Sequence, residues 1–87
     1  MNPVPDNAPV TAAQIGMFRR SYEGLDRFID AMIEHIRNVA DLNRAYRVFE
    51  TPVYGNPDAQ AAEMYRRVDE FLGYRIPRNG EHVGARH

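Results

Sequence analysis

The chain has 87 residues, 12 acidic and 11 basic side chains, a formal net charge of −1 and no cysteine. This length allows one small domain, and the lack of cysteine excludes a disulfide framework or a thiolate metal site as its source of stability. The near balance of charge disfavours nucleic-acid binders that depend on a basic excess. Neither a charged-then-apolar leader nor an apolar run of roughly 18 residues is present, so we expect a protein made soluble in the cytoplasm.

The first half of the chain predicts a lead-in followed by one long helix. Residues 1–10 hold several prolines and asparagines and are expected to be extended and mobile. Thr11, with Gln14 three residues later, has the capping-box arrangement of a helix start. Beyond it, apolar positions recur at alternating steps of three and four in one heptad phase, which indicates a single helix over residues 12–50. The series consists of Ile15, Phe18, Tyr22, Leu25, Ile29, Met32, Ile36, Val39, Asn43 and Tyr46.

Two residues inside this predicted helix allow alternative interpretations. Gly24 is either tolerated at a close helix approach or marks a kink, although the unbroken apolar phase argues against a full stop there. Asn43 occupies a core heptad position, where asparagine can fix the register of helix pairing. The alternative for Asn43 is partial solvation near the end of the helix.

A bend follows the long helix. The residue before Pro52 is pushed out of the helical region, which ends the first helix. Asn56 is a suitable cap, Pro57 a suitable first helical residue, and Asp58 faces the positive end of the next helix. Gly55 is free to adopt positive φ between the two helices.

The second helix is predicted over residues 57–72, with Gly73 as its stop. Because the bend is short, we expect the two helices to form an antiparallel hairpin over residues 11–73. The remaining residues, 74–87, carry turn signals and are expected to form an irregular tail.

The unequal lengths of the two helices predict a partner. The short helix can cover less than half of the long one, which would leave an apolar stripe larger than soluble monomers tolerate. We therefore predict an all-α fold completed as a multi-helix bundle by a second chain, most simply two hairpins in a four-helix dimer. The predicted partner-binding residues are Phe18, Tyr22, Leu25, Phe28, Ile29 and Met32.

The sequence offers little for catalysis. Ser21 has no histidine at a helical spacing, and His35 follows Met32 where a di-iron bundle would need glutamate. Asp30 and Glu34 beside His35 form either a weak cation site or a solvated acidic face. We predict no catalytic, cofactor-binding or metal-binding residues and no small-molecule substrate.

The favoured function is a non-catalytic interaction or assembly module that acts through the apolar stripe. Its partner would be a second copy, in a homodimer or larger helical assembly, or a different protein. The alternative is a small dimeric regulator that binds nucleic acid through the arginines of the tail, Arg75, Arg78 and Arg86.

The stretch VYGNPDA at the bend, followed by an alanine-rich helix containing YRRVD, resembles the small helical hairpins of the actinobacterial type VII secretion family. That family carries Trp-x-Gly at the bend and a Tyr-x-x-x-Asp/Glu export signal. Tyr54-Gly55 stands near the former, and Tyr65 to Asp69 matches the latter. The resemblance covers residues 12–72 and implies a secretion substrate, or its partner, exported without a cleavable signal. A component of a phage or cellular assembly is the related expectation.

Overall fold

Four α-helices make up the fold of residues 5–78, which are the residues described by the computed structural model. Their bounds are α1 Ala12–Ser21, α2 Asp26–Ile33, α3 Val39–Glu50 and α4 Pro57–Leu72. The all-helical class predicted from the sequence is confirmed for this part of the chain. None of the helices in it is both long enough and apolar enough to cross a bilayer.

The single helix predicted over residues 12–50 is corrected to three helices, and the first break lies at Gly24. Helix α1 ends at Ser21, and Gly24 adopts a φ of +95° before α2 begins. Positive φ is incompatible with a continuous α-helix, but glycine adopts it without the Cβ clash that other residues suffer. Tyr22 to Leu25 therefore form a turn between α1 and α2, which we call the elbow. The sequence had predicted either a continuous helix or a kinked helix at this point.

The second break lies between α2 and α3, where Asn38 begins the new helix. Its backbone is extended, with φ −139° and ψ 176°, and its side chain accepts a hydrogen bond from the Asp41 amide at 2.9 Å. The Asp41 carboxylate in turn accepts the Arg37 amide at 3.0 Å. The bond from Asn38 satisfies an amide that a helix start would leave without a partner, and the bond from Asp41 fixes the residue before the cap, so α3 begins here with its own cap.

Helix α4 occupies the residues predicted for the second helix. The Asn56 side chain accepts a hydrogen bond from the Ala59 amide at 2.8 Å, and Pro57 is the first helical residue. At the other end, Gly73 adopts a φ of +86°, and its amide donates to the carbonyl of Asp69 at 2.8 Å. Local capping chemistry thus sets both ends of α4.

The lead-in was expected to be extended, but residues 5–8 form a turn closed by a hydrogen bond from the Ala8 amide to the Pro5 carbonyl at 3.0 Å, and residues 6–10 are joined to the start of α3 by backbone hydrogen bonds. The Val10 amide donates to the Arg37 carbonyl at 3.2 Å, and the Val39 amide donates to Ala8 at 3.0 Å. Pro9 and Asn38 form an antiparallel bridge between these bonds. These contacts place residues 5–10 beside the start of α3, whereas mobility of the lead-in stays a prediction and residues 1–4 lie outside the described part.

One core is shared by all four helices. Helices α2 and α3 pack against α4, and α1 packs against α2. The buried set is Phe18, Phe28, Ile29, Met32, Ile36, Leu42, Ala45, Tyr65, Val68, Leu72 and Ile76. Burial of Ile76 places the start of the tail against the helices, while residues 79–87 lie outside the described part.

Candidate functional site

The six predicted partner-binding residues do not form an uncovered stripe. Phe18, Ile29 and Met32 have no exposed surface, and Phe28 is also in the core. Tyr22 and Leu25 are half-buried. The prediction that half of a long helix stays uncovered is corrected for these residues. Because the chain breaks between α1, α2 and α3, α1 and α2 pack into the core of the same chain. Binding of a partner at Leu25 and Phe28 stays a prediction, since both reach an open groove.

That groove lies between α2 and α4 and has a volume of about 490 Å³. We call it the α2–α4 groove. Its lining consists of Leu25, Arg27, Phe28, Pro57, Gln60, Ala61, Met64 and Tyr65. Most of these side chains are apolar, and Arg27 and Gln60 supply the polar groups.

Helix α4 contributes a regular stripe to the groove. Pro57, Gln60, Ala61 and Met64 follow one another at helical steps of three, one and three, which places them on one face. The first three are exposed and Met64 is half-buried, so this face of α4 stays accessible to solvent. The cap at Asn56 fixes where the stripe begins.

Tyr65 forms the inner wall of the groove, and its ring contacts Phe28 and Arg78. Its ring meets Phe28 edge-on, with centroids 5.0 Å apart and an interplanar angle of 78°. The Arg78 guanidinium lies 4.7 Å from the Tyr65 ring centroid and pairs with the Asp69 carboxylate at 2.8 Å. Asp69 also accepts the Ile76 amide at 3.0 Å. The C-terminal segment is thereby tied to α4 beside the groove.

A second open surface lies between α3 and α4 and has a volume of about 500 Å³. We call it the arginine cleft. It is lined by Arg44, Arg47, Val48, Thr51, Glu63, Arg66, Arg67, Glu70 and Phe71. Four arginines against two glutamates leave positive charge in excess.

The charged side chains on the α4 wall of the arginine cleft form ion pairs with one another. Arg66 binds Glu63 through two nitrogens, at 2.7 and 2.9 Å, and reaches Glu70 at 3.2 Å. Arg67 donates to the same Glu63 carboxylate at 2.9 Å. Hydrogen bonds from Arg66 and then Arg67 lower the pKa of Glu63 from 4.5 to about 2. The excess positive charge therefore comes from the α3 wall, from Arg44 and Arg47.

The face between α1 and α3 carries an aromatic cluster. Phe18 lies edge-on to Tyr46 at 5.0 Å between centroids, and Tyr22 lies 4.6 Å from Phe49. Burial raises the pKa of Tyr22, with smaller contributions from the nearby Glu50 charge and from Tyr46. Beside this cluster, Met17 is 55% exposed at a small apolar groove of about 210 Å³.

The residues considered above for catalysis or cation binding make contacts within the fold. Ser21 donates to the Met17 carbonyl at 2.8 Å, and Asp30 pairs with Arg19. The His35 ring lies 5.7 Å from that of Tyr74. Within residues 5–78, no group of three or more histidine, cysteine, aspartate or glutamate side chains could hold a metal ion.

No family model, curated protein or solved structure matches the chain. The type VII resemblance therefore stays a prediction. Its proposed export pair, Tyr65 and Asp69, is engaged inside the fold: Tyr65 is 8% exposed, and Asp69 holds Ile76 and Arg78. Of the tail arginines, Arg78 has this ion pair and Arg86 lies outside the described residues.

Sequence reasoning missed both open surfaces. The stripe at Pro57, Gln60 and Ala61 was a readable signal, since an exposed helical face carrying proline and alanine is only weakly polar. The sequence carries no spacing signal for the arginine cleft, because Arg44 and Arg47 lie on one helix and Arg66 and Arg67 on another. Their juxtaposition depends on how α3 and α4 pack.

Proposed function

We propose that the chain is a non-catalytic protein–protein interaction module whose α2–α4 groove receives the apolar face of a helix from a partner chain. The supporting observation is the groove itself, about 490 Å³ in volume and lined mainly by apolar side chains from two helices. A groove between two helices is a common receptor for an amphipathic helix, whose apolar side chains act as anchors.

The composition of the lining supports this mode of binding. Leu25, Phe28 and Met64 offer apolar contact, and methionine adapts readily to different partner side chains. Arg27 and Gln60 place polar groups beside this apolar surface, where they can fix the orientation of a bound helix. Leu25 and Phe28 also belong to the partner-binding set that the sequence predicted.

A secretion substrate or a component of a phage or cellular assembly fits this role. Each of these functions requires the chain to be recognised by another protein rather than to transform a substrate. The bound helix would belong to such a protein or to a second copy of this chain.

Ala61 provides the test of the groove. Ala61→Arg places a long charged side chain in the groove at an exposed helical position, so the fold should tolerate it. Ala62→Arg is the matched control, because Ala62 is exposed on the same helix turn and lines neither the groove nor the arginine cleft. Burying the new charge against an apolar partner should weaken binding by at least about tenfold.

The measurement has two steps. A photo-crosslinking residue at position 60 is used in host extract to capture the partner, which is then purified and titrated against each variant. The proposal requires binding by the wild type and Ala62→Arg and weaker binding by Ala61→Arg. Equal binding by all three, or capture of nothing, would rule it out. Salt-sensitive retention of the chain on nonspecific DNA, lost in Arg75→Ala with Arg78→Ala, would favour the nucleic-acid alternative instead.

A further inference from the structure

The arginine cleft has a basic wall and a neutralised wall. On α4, Glu63 is shared by Arg66 and Arg67, and Glu70 is bound by Arg66. On α3, Arg47 forms no ion pair within residues 5–78, and Arg44 pairs only with Asp41, at 2.7 Å. The positive charge open to a ligand is thus concentrated on one helix.

An apolar strip runs beside this charge. Val48 and Phe71 line the same cleft, and the Arg44 guanidinium lies 5.8 Å from the centroid of the Phe71 ring. A ligand that fits must bring carboxylates to α3 and tolerate apolar contact. Only Arg44 and Arg47 offer open positive charge, and apolar side chains lie beside them, which suits a short acidic protein segment better than a continuous phosphate backbone.

An acidic segment of suitable form is present on the surface of the same fold. Asp26, Asp30 and Glu34 follow one another at steps of four along α2 and its C-cap, and all three are exposed. Such spacing places the carboxylates on one face. Only Asp30 among them forms an ion pair in the described residues, with Arg19. We call this face the α2 acidic face.

We propose that the arginine cleft of one copy binds the α2 acidic face of a second copy. The contact joins two different surfaces, so it is heterologous, and repeated use of it builds a ring or an open chain of subunits. It extends the proposed function by naming a second surface and its occupant. It does not use the α2–α4 groove, and either proposal can fail without the other.

Two charge-reversal variants test this contact. Arg44→Glu with Arg47→Glu makes the cleft acidic and leaves the α2 face unchanged. Asp26→Arg with Glu34→Arg leaves Asp30, which is paired with Arg19, as the one remaining carboxylate of the α2 acidic face, so the face becomes basic while the cleft is unchanged. In each variant the two surfaces carry charge of the same sign, so each alone should self-associate at least about tenfold more weakly than the wild type.

Mixing the two variants supplies the decisive comparison, because each again meets a surface of opposite charge. Association should return on mixing at about 20 mM salt and weaken at about 300 mM salt, where screening is stronger. Recovery also requires both variants to be folded, which a loss of association alone would not establish. The control, Arg20→Glu with Arg37→Glu, reverses two exposed arginines outside the cleft and should associate like the wild type.

Sedimentation velocity over a concentration series measures these outcomes. A wild type that stays monomeric at low salt overturns the inference, as does a mixture that fails to associate. Self-association that is lost in Ala61→Arg but insensitive to both charge reversals also overturns it, and assigns the contact to the α2–α4 groove. A labelled single-stranded oligonucleotide bound by the wild type but not by Arg44→Glu with Arg47→Glu would assign the cleft to nucleic acid, against the inference.

Discussion

The guanidinium of Arg67 on α4 lies 2.6 Å from the carbonyl oxygen of Thr51, the C-cap of α3. The same guanidinium donates to the carbonyl of Pro52 at 2.8 Å and approaches that of Val48 at 3.4 Å. The last carbonyls of a helix have no partners within it, and they carry the negative end of the helix dipole. Arg67 satisfies them from the neighbouring helix and so ties α3, the bend and α4 together.

Arg67→Ala should destabilise the fold by roughly 1.5–3 kcal/mol, since it removes charge-assisted hydrogen bonds to carbonyls at the end of α3. The neighbouring Arg66→Ala is the matched control. Arg66 is 57% exposed and binds only glutamates, so its loss should change stability little. Urea denaturation of the two variants gives the comparison. Equal midpoints would mean that Arg67 does not hold the end of α3.

The elbow can be tested with a pair of glycine substitutions. Gly24→Ala should cost roughly 1–2 kcal/mol, because Gly24 has a φ of +95°, which a residue with a Cβ adopts poorly. Gly16→Ala should instead stabilise by roughly 0.5–1 kcal/mol, since Gly16 lies within α1 and a Cβ there would meet only Arg20 Nη1, at 3.4 Å. Thermal unfolding followed by circular dichroism separates the two. Stabilisation by both substitutions would indicate a continuous helix through residue 24.

The Asp69 carboxylate anchors the C-terminal segment, so its removal should release that segment from Tyr65. Asp69→Ala loses both the Ile76 amide bond and the Arg78 ion pair, and should cost roughly 1–3 kcal/mol. Asp69→Asn keeps an acceptor for the amide and should fall between wild type and alanine. Tyr65 ring resonances followed by NMR report the release. The control is Glu70→Ala on the exposed side of the same helix, which should leave those resonances in place.

Stability should decrease as the pH falls from about 5 towards 2. Arg66 and Arg67 lower the pKa of Glu63 to about 2, and the Arg37 amide is the main cause of the lowered pKa of Asp41. A carboxyl group with a lowered pKa in the folded state stabilises the fold above its unfolded pKa. That contribution is lost as the pH falls through the folded value. Urea midpoints across this range should drop less in Asp41→Asn with Glu63→Gln, and an unchanged slope would contradict the assignment.

The sequence predicts α4 well because its limits depend on neighbouring residues. Asn56 and Pro57 begin the helix and Gly73 ends it, and each acts through its own backbone conformation or a bond to a residue nearby. Asn38 followed by Asp41 is an equally local signal for the start of α3, which the prediction from the apolar phase missed.

The error at the elbow has a different physical origin. Separate helices that share one core can keep a common apolar spacing, so periodicity does not reveal the sign of φ at Gly24. Once the chain turns there, Phe18 and Met32 enter the core of the same chain, and of the predicted binding residues Leu25 and Phe28 reach the α2–α4 groove. The α2–α4 groove and the arginine cleft arise from tertiary packing, which no spacing along one helix encodes.

The hydrogen bonds that join Ala8 and Val10 to the link before α3 also affect how the chain reaches its fold. Between Ala8 and Val39 the chain closes a loop of roughly thirty residues, and loop closure of that length costs on the order of 3 kcal/mol in chain entropy. Helices α3 and α4 meet across a bend of only a few residues, so their pairing closes a far smaller loop. The lead-in should therefore dock late, after the rate-limiting barrier. Substitutions at Val10 would then speed unfolding and leave the folding rate almost unchanged.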